Sequence, residues 1–199
     1  MGDEDVDSRR RQLLIVTTGL GLVGSGFAAV PFVKSMQPSA RAKAAGAPVE
    51  VDISGIEPGQ LKTVEWRGKP VWILRRTPEM LASLKADLEV LADPESAVAA
   101  QQPAYAQNAT RSIKPEVLVV VGICTHLGCS PDKRVEAGAV SRLGSDWPGG
   151  FFCPCHGSKF DLAGRVYRNV PAPTNLVVPP YKYLTDTRVV IGEDQKGAA

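Results

Sequence analysis

Apolar positions change their pattern twice along the chain. Residues 13–33, LLIVTTGLGLVGSGFAAVPFV, form an uncharged run of 21 positions. As a helix this run spans about 31 Å, against a hydrocarbon core about 30 Å thick, so it predicts one transmembrane anchor. Residues 37–48, QPSARAKAAGAP, then show no apolar periodicity. They read as a linker that reaches up to about 43 Å when extended, and 34–48 as a whole reads as a hinge or a passive spacer. Beyond residue 48 come short β-branched runs bounded by turn formers: VEVDI at 49–53, LKTVEWR at 61–67, VWILR at 71–75, VLVVVGI at 117–123 and TRVVI at 187–191. These predict antiparallel strands. Gly68 with Lys69 is the expected hairpin turn between the second and third runs, and Pro70 confines its strand to an edge or a first position. One segment has helical spacing instead: Thr77 as cap, Pro78 at the first position, then Met80, Leu81, Leu84, Leu88 and Leu91, until Asp93-Pro94 stops it. Residues 95–115, rich in Ala, Gln, Pro and Asn, predict a surface loop. The pattern is that of a mainly β head over 49–199 with one helical insertion.

Composition agrees with a folded head. The chain has 199 residues, 44% hydrophobic and 22% charged, which excludes a disordered or collagen-like protein despite 19 Gly and 16 Pro. Residues 48–199 carry 17 basic and 17 acidic side chains, so no electrostatic footprint for nucleic acid exists there. Charge is informative near the N-terminus. Arg9, Arg10 and Arg11 directly precede the apolar run and only Lys34 directly follows it, a bias that keeps residues 1–12 cytoplasmic and puts the head outside. The run SRRRQLL from Ser8 resembles the twin-arginine signals of bacterial export, which suit proteins that fold and take up a cofactor before crossing. The expected location is a bacterial inner membrane, single-pass, with a periplasmic head. Small residues such as Ala40 and Ala42 leave a cleaved signal as the alternative, and a buried core helix as another.

The rarest residues carry the chemistry. Four Cys and two His are the chain's whole supply of thiols and imidazoles, and all six fall within 33 positions. Cys124, His126 and Cys129 lie in CTHLGC; Cys153, Cys155 and His156 lie in CPCHGS. Such clustering reads as a metal site, a disulfide framework or both. Two loops brought together would offer two thiolates and two imidazoles, a set suited to zinc or iron–sulfur chemistry. The second cysteine of each box, Cys129 and Cys155, exceeds what a Cys₂His₂ zinc site needs; outside the cytoplasm that pair could join as a disulfide. Gly128 and Gly157 permit tight turns that leave N–H groups facing sulfur. No GxGxxG, P-loop lysine or GxSxG elbow is present, and no internal repeat, so nucleotide and hydrolase readings fall away.

Both boxes resemble those of the Rieske iron–sulfur proteins, specifically the Rieske subunit of cytochrome bc complexes. The resemblance implies a small antiparallel β-sandwich head with a cluster-binding subdomain, its loops at about 122–131 and 151–162. It implies one 2Fe-2S cluster, Cys124 and Cys153 on one iron and His126 and His156 on the other, with Cys129–Cys155 as a bridging disulfide. Two neutral imidazoles in place of two thiolates make such a cluster less negative and readier to take an electron. By the same resemblance the chain takes one electron and one proton from a quinol and passes the electron to a c-type cytochrome, with His156 as quinol contact and proton acceptor and His126 the other exposed imidazole. The implied partners are a cytochrome b subunit, a c-type cytochrome subunit, quinol and membrane lipid, in a dimeric complex. Residues 37–48 then become a hinge on which the head swings. The Rieske subunit of another exported oxidoreductase, of the arsenite oxidase type, a soluble Rieske ferredoxin and a structural zinc module are the rival readings.

Around the cluster the resemblance also implicates Leu127, Gly128, Gly157, Ser158, Phe160 and the proline loop Pro171, Ala172 and Pro173. Ser158 matches a hydroxyl that donates to a bridging sulfide of the cluster. Two positions depart from the pattern: Val170 stands where a Gly usually precedes the proline loop, and Phe160 stands where many members carry a Tyr that donates to a cysteine sulfur. A ring without a hydroxyl cannot make that bond, and losing a donor to sulfur lowers the potential. Phe160→Tyr is therefore expected to raise the midpoint potential in a redox titration; an unchanged midpoint would remove the argument.

Overall fold

The computed structural model describes residues 7–86 and 88–194; the expected outermost termini, residues 1–6 and 195–199, lie outside these. The chain divides into two compact units, residues 1–44 and 45–199. In the first, helix α1 (Ser8–Ser35) contains the whole apolar run. It starts where the Asp7 carboxylate accepts the backbone N–H of Arg9 at 3.1 Å and of Arg10 at 3.3 Å, an N-cap. With 28 residues and a mean hydropathy of 1.9 it is long and apolar enough to cross a membrane. Thr17 returns its hydroxyl to the carbonyl of Leu13 at 2.9 Å, so this polar atom is satisfied inside the helix. The structureless linker expected at 37–48 is partly helical instead: α2 covers Ala40–Ala45. Ser39 caps it, accepting the Ala42 N–H at 3.1 Å on its hydroxyl, and alanine needs no apolar stripe to favour one helical turn.

In the head every strand pairing is antiparallel. Strands β1 (Val49–Asp52), β2 (Leu61–Trp66), β3 (Lys69–Arg75), β4 (Val117–Val121) and β9 (Arg188–Ile191) form where the β-branched runs predict them. β8 (Tyr181–Thr185) joins β9, giving the sheet β1-β9-β8 beside the sheet β2-β3-β4. Inward residues of both, among them Val51, Ile73, Val119, Val189 and Ile191, belong to one buried core. Register corrects the hairpin. Trp66 pairs with Lys69, so the turn residues are Arg67 (φ 53) and Gly68 (φ 71), not Gly68 and Lys69. Two successive positive φ values match the twist of the flanking strands. Pro70 sits in the central strand of its sheet, yet tolerably: β4 begins pairing one residue later, at Val71, and the Pro70 carbonyl accepts the Gly122 N–H at 2.8 Å.

Two further expectations are corrected by buried guanidinium groups. The helix from Thr77 has the expected cap and N-terminal proline but ends early: α3 covers Pro78–Ser83, and Leu88–Val90 form a separate 3₁₀ turn. The Leu84 carbonyl accepts from Arg165 at 2.7 Å, while Leu91 bridges Tyr167 and the Ala92 N–H reaches the Val166 carbonyl at 2.9 Å. Tertiary hydrogen bonds thus take the backbone groups that a longer helix would use. Residues 95–115 do run over the surface for much of their length, but they are not a featureless loop. They contain 3₁₀ turns at Ala99–Gln101 and Ala104–Ala106 and send Arg111, fully buried, into the head. Arg76, also buried, donates to the carbonyls of Pro115, Thr110 and Leu162. Burial pulls both guanidinium groups down to about 10, still charged near neutral pH.

The third sheet, β5 (Asp132–Arg134), β6 (Gly150–Cys153) and β7 (Ser158–Phe160), carries the second cysteine box and is too short for periodicity to reveal. Trp72 of β3 ties it to the body. Its indole stacks on Phe151 of β6 with ring centroids 5.0 Å apart and abuts Gly122, where the first box begins; a Cβ on Gly122 would come within 2.6 Å of Trp72 Cζ2. Gly122→Ala is expected to cost about 1–3 kcal/mol through overpacking, measured as a lowered denaturation midpoint of the head.

Candidate metal centre

Both boxes fold into the same turn. In the first, the Gly128 N–H donates to the Cys124 carbonyl at 3.1 Å; in the second, the Gly157 N–H donates to the Cys153 carbonyl at 2.9 Å. Both glycines are left-handed, at φ 83 and 79, a conformation that glycine adopts without a Cβ penalty. Their own N–H groups close the turns onto carbonyl oxygens, and the first turn then leaves the His126 backbone N–H facing the Cys124 sulfur, as the tight backbone was expected to do. The first turn is closed again by the Cys124 N–H donating to the Cys129 carbonyl at 2.7 Å. The second is the β6–β7 hairpin, with Cys153 paired to Ser158.

Cys129 and Cys155 form a disulfide across the two turns, 26 residues apart in sequence. The Cys153 sulfur lies within 4.8 Å of both disulfide sulfurs. Cys124 and Cys153 remain free thiols, each only 2% exposed. Burial pushes the Cys124 thiol up and the neighbouring Cys153 adds to that, while the His126 backbone N–H and the Ser158 hydroxyl pull it down. The imidazoles lie edge to face with ring centroids 4.7 Å apart. They differ in exposure: His156 is exposed, but His126 is half-buried rather than the second exposed imidazole the sequence suggested. Its Nδ1 is buried without a hydrogen-bond partner.

Segment 169–174 is bonded to both turns. Ala172, buried between the exposed Pro171 and Pro173, donates its N–H to the buried Ser158 hydroxyl at 3.0 Å. Thr125, inside the first box, donates its hydroxyl to the Thr174 carbonyl at 2.7 Å; nothing in the sequence marked it. At the departure Val170 packs against the core, and the preceding Asn169 takes the left-handed conformation at φ 58, which asparagine tolerates. Phe160 is fully buried in β7 opposite Phe151. Leu127 projects from the tip of the first turn, 73% exposed.

Two buried free thiols, a buried imidazole nitrogen with nothing to bond and a second imidazole against it make a donor set that fits a mixed thiolate and imidazole metal centre. The head matches the family model of the Rieske [2Fe-2S] domain over residues 48–182. The chain belongs to the Rieske iron–sulfur family. Residues 1–39 match the model described as ubiquinol–cytochrome c reductase Fe-S subunit TAT signal. The chain is 61% identical over 199 residues to the ubiquinol–cytochrome c reductase iron–sulfur subunit of Allochromatium vinosum, covering all of this chain and 95% of that one. It is 44% identical over 186 residues to the subunit of the same name from Blastochloris viridis, with 93% of each covered. A solved chain of a hyperthermophilic respiratory Complex III is 30% identical, covering 88% of this chain and 97% of that one at a TM-score of 0.46.

In this Rieske head the disulfide joins the tips of two otherwise independent turns, so the unfolded chain gains loop entropy when it is cut. For a separation of 26 residues, the double substitution Cys129→Ser with Cys155→Ser is expected to cost about 3–4 kcal/mol. Denaturant titration checks the loss, and bleaching of the visible absorption at fixed denaturant checks that the cluster loops are what loosens.

Proposed function

We propose that this chain is the high-potential iron–sulfur subunit of a quinol–cytochrome c reductase complex, and that the pairing of two buried thiols with two facing imidazoles carries the assignment. Cys124 and Cys153 would hold one iron and His126 and His156 the other, and the bound 2Fe-2S cluster would supply one-electron chemistry between a quinol and a c-type cytochrome. The protein supplies the rest. Cys124 is kept out of water and receives the His126 backbone N–H and the Ser158 hydroxyl, donors that favour its thiolate. The orphan Nδ1 of His126 is aimed inward, so metal ligation satisfies it. His156, exposed at the tip, offers its remaining ring nitrogen to the quinol hydroxyl and holds the proton that leaves with the electron. Leu127, next to His126 at the tip of the other turn, presents apolar surface for the cytochrome b pocket that delivers quinol.

Localisation follows the same logic. Residues 1–12 stay cytoplasmic behind the arginines, 13–33 cross the bacterial inner membrane, 34–48 tether the head, and 49–199 work on the periplasmic side beside a cytochrome b and a c-type cytochrome subunit in a dimeric complex. The division of the chain at residue 44 supports a tether there. A disulfide next to the thiols favours an oxidising compartment.

Low-temperature EPR of the reduced membrane protein tests the reading. An average g value below that of all-cysteine clusters is expected, and it should vanish in Cys124→Ser. His156→Ala should abolish both the signal and quinol oxidation. A colourless, EPR-silent, metal-loaded protein would overturn the proposal in favour of zinc.

A further inference from the structure

Arg111 is held in an unusual way. Its side chain is fully buried and its backbone is left-handed at φ 49, a conformation that costs energy for a residue with a Cβ and asks for a reason. No carboxylate among the described residues hydrogen-bonds to it. Among the described residues its acceptors are all neutral: the carbonyls of Ala163 and Gly164, both at 3.2 Å, of Leu176 at 2.8 Å and of Gln101 at 3.3 Å, and the Gln102 side-chain oxygen at 3.0 Å. A buried cation bound only by neutral oxygens is an expensive way to add stability. It is an effective way to fix several carbonyls relative to one another, because the guanidinium presents its donors in a rigid plane.

Those carbonyls mark the neck of a loop. Gly164 and Leu176 enclose residues 165–175, and the Leu176 N–H donates to the Gly164 carbonyl at 2.8 Å. Arg111 clamps the same neck, with Nη1 on the incoming strand and Nη2 on the outgoing one. Gly164 is left-handed at φ 72, and a Cβ there would come within 3.3 Å of Nη1, so any other residue would be strained in its backbone and would press on the guanidinium. The loop's far end touches the metal-centre turns twice, through the Ala172 N–H on Ser158 and the Thr174 carbonyl on Thr125. Asn175 braces the base as well, accepting the Val166 N–H at 2.8 Å, but it lies within the loop and moves with it; Arg111 comes from outside.

We infer that Arg111 is a positioning residue for the metal centre: by clamping the neck of loop 165–175 it holds Ala172 and Thr174 against Ser158 and Thr125. Arg111 touches none of the candidate ligands, and its effect is transmitted through backbone.

Hydrogen exchange and redox titration on the full-length, cluster-loaded chain in detergent test this. Arg111→Gln is expected to raise exchange of the Ala172 and Leu176 amides, which donate to Ser158 and Gly164, by about tenfold or more, while amides of β4 and β9 stay at wild-type rates. The midpoint potential should shift in the same variant. Arg111→Lys keeps the charge but not the fork, so it should show an intermediate loop exchange; it carries the comparison alone if the Gln variant does not accumulate folded. Uniformly faster exchange in every strand would reduce Arg111 to general stability and overturn the inference. So would wild-type loop exchange in both variants with a potential shift only in Arg111→Gln, which would make the residue a fixed charge rather than a clamp. The potential rests on the cluster reading, but the exchange arm does not, so a failure of either is told from a failure of the other.

Discussion

Two short turns that share almost no hydrogen bonds with each other must be held side by side, and the rest of the head is arranged around that constraint. Each turn is internally complete, closed by a left-handed glycine onto its own cysteine carbonyl. Nothing in such a turn dictates where the other one lies. The Cys129–Cys155 bond fixes their tips, and Trp72 fixes their bases, with Gly122 of one turn at its edge and Phe151 of the other sheet on its face. Between bond and indole lie the two thiols that need shielding from water and the imidazole nitrogen that needs a partner. Covalent and packing restraints thus act at opposite ends of the same pair of loops. That is how a small sheet of three- and four-residue strands keeps a rigid site without a core of its own.

The loops behind the site pose a different problem. Irregular backbone buried inside a domain leaves carbonyls without strand partners. Arg76, Arg111 and Arg165 answer it, reaching carbonyls of residues 84, 94, 101, 110, 115, 162, 163, 164 and 176. Of the three, among the described residues only Arg165 has a carboxylate in contact, Asp161 at 2.7 Å. A guanidinium serves here where lysine would not, because it stays charged despite burial and forks towards several oxygens at once.

The same division explains what the sequence discloses. Strands that bury β-branched residues, such as Val117–Val121, are legible because their pattern is a direct consequence of the core they enter. The two boxes are legible because six scarce side chains in 33 positions have few other uses. The short sheet behind the second box escapes, since strands of three residues have no period to detect, and Thr125 escapes because a threonine hydroxyl bonded to a distant carbonyl looks like any other threonine. Helical spacing from Thr77 to Leu91 is misleading for an instructive reason. Leu84 and Leu91 do go inward, but Leu88 between them is exposed, because Arg165 and the 166–168 segment claim the backbone there and break the helical turn that would have carried it to the core. Periodicity does not report which partner satisfies the carbonyls, and where tertiary bonds take them the periodic face is lost.

Loop 95–115 sharpens that point. Its Ala, Gln, Pro and Asn composition is that of a surface connection, yet its one decisive residue is a charged one that composition would place in water. Burying Arg111 is affordable only because loop 162–176 offers it carbonyls, and that loop can stay inside only because Arg111 satisfies them. Neither segment is intelligible alone, and their sequence separation of some fifty residues hides the pairing. Asn108 prepares it locally, its carbonyl accepting the Arg111 N–H at 3.0 Å and its side chain accepting those of Thr110 and Ser112, which turns the backbone so that position 111 points inward. A surface-like segment and a site-bearing loop thereby become one unit, and the geometry around Ser158 depends on a residue that local sequence reasoning assigns to solvent.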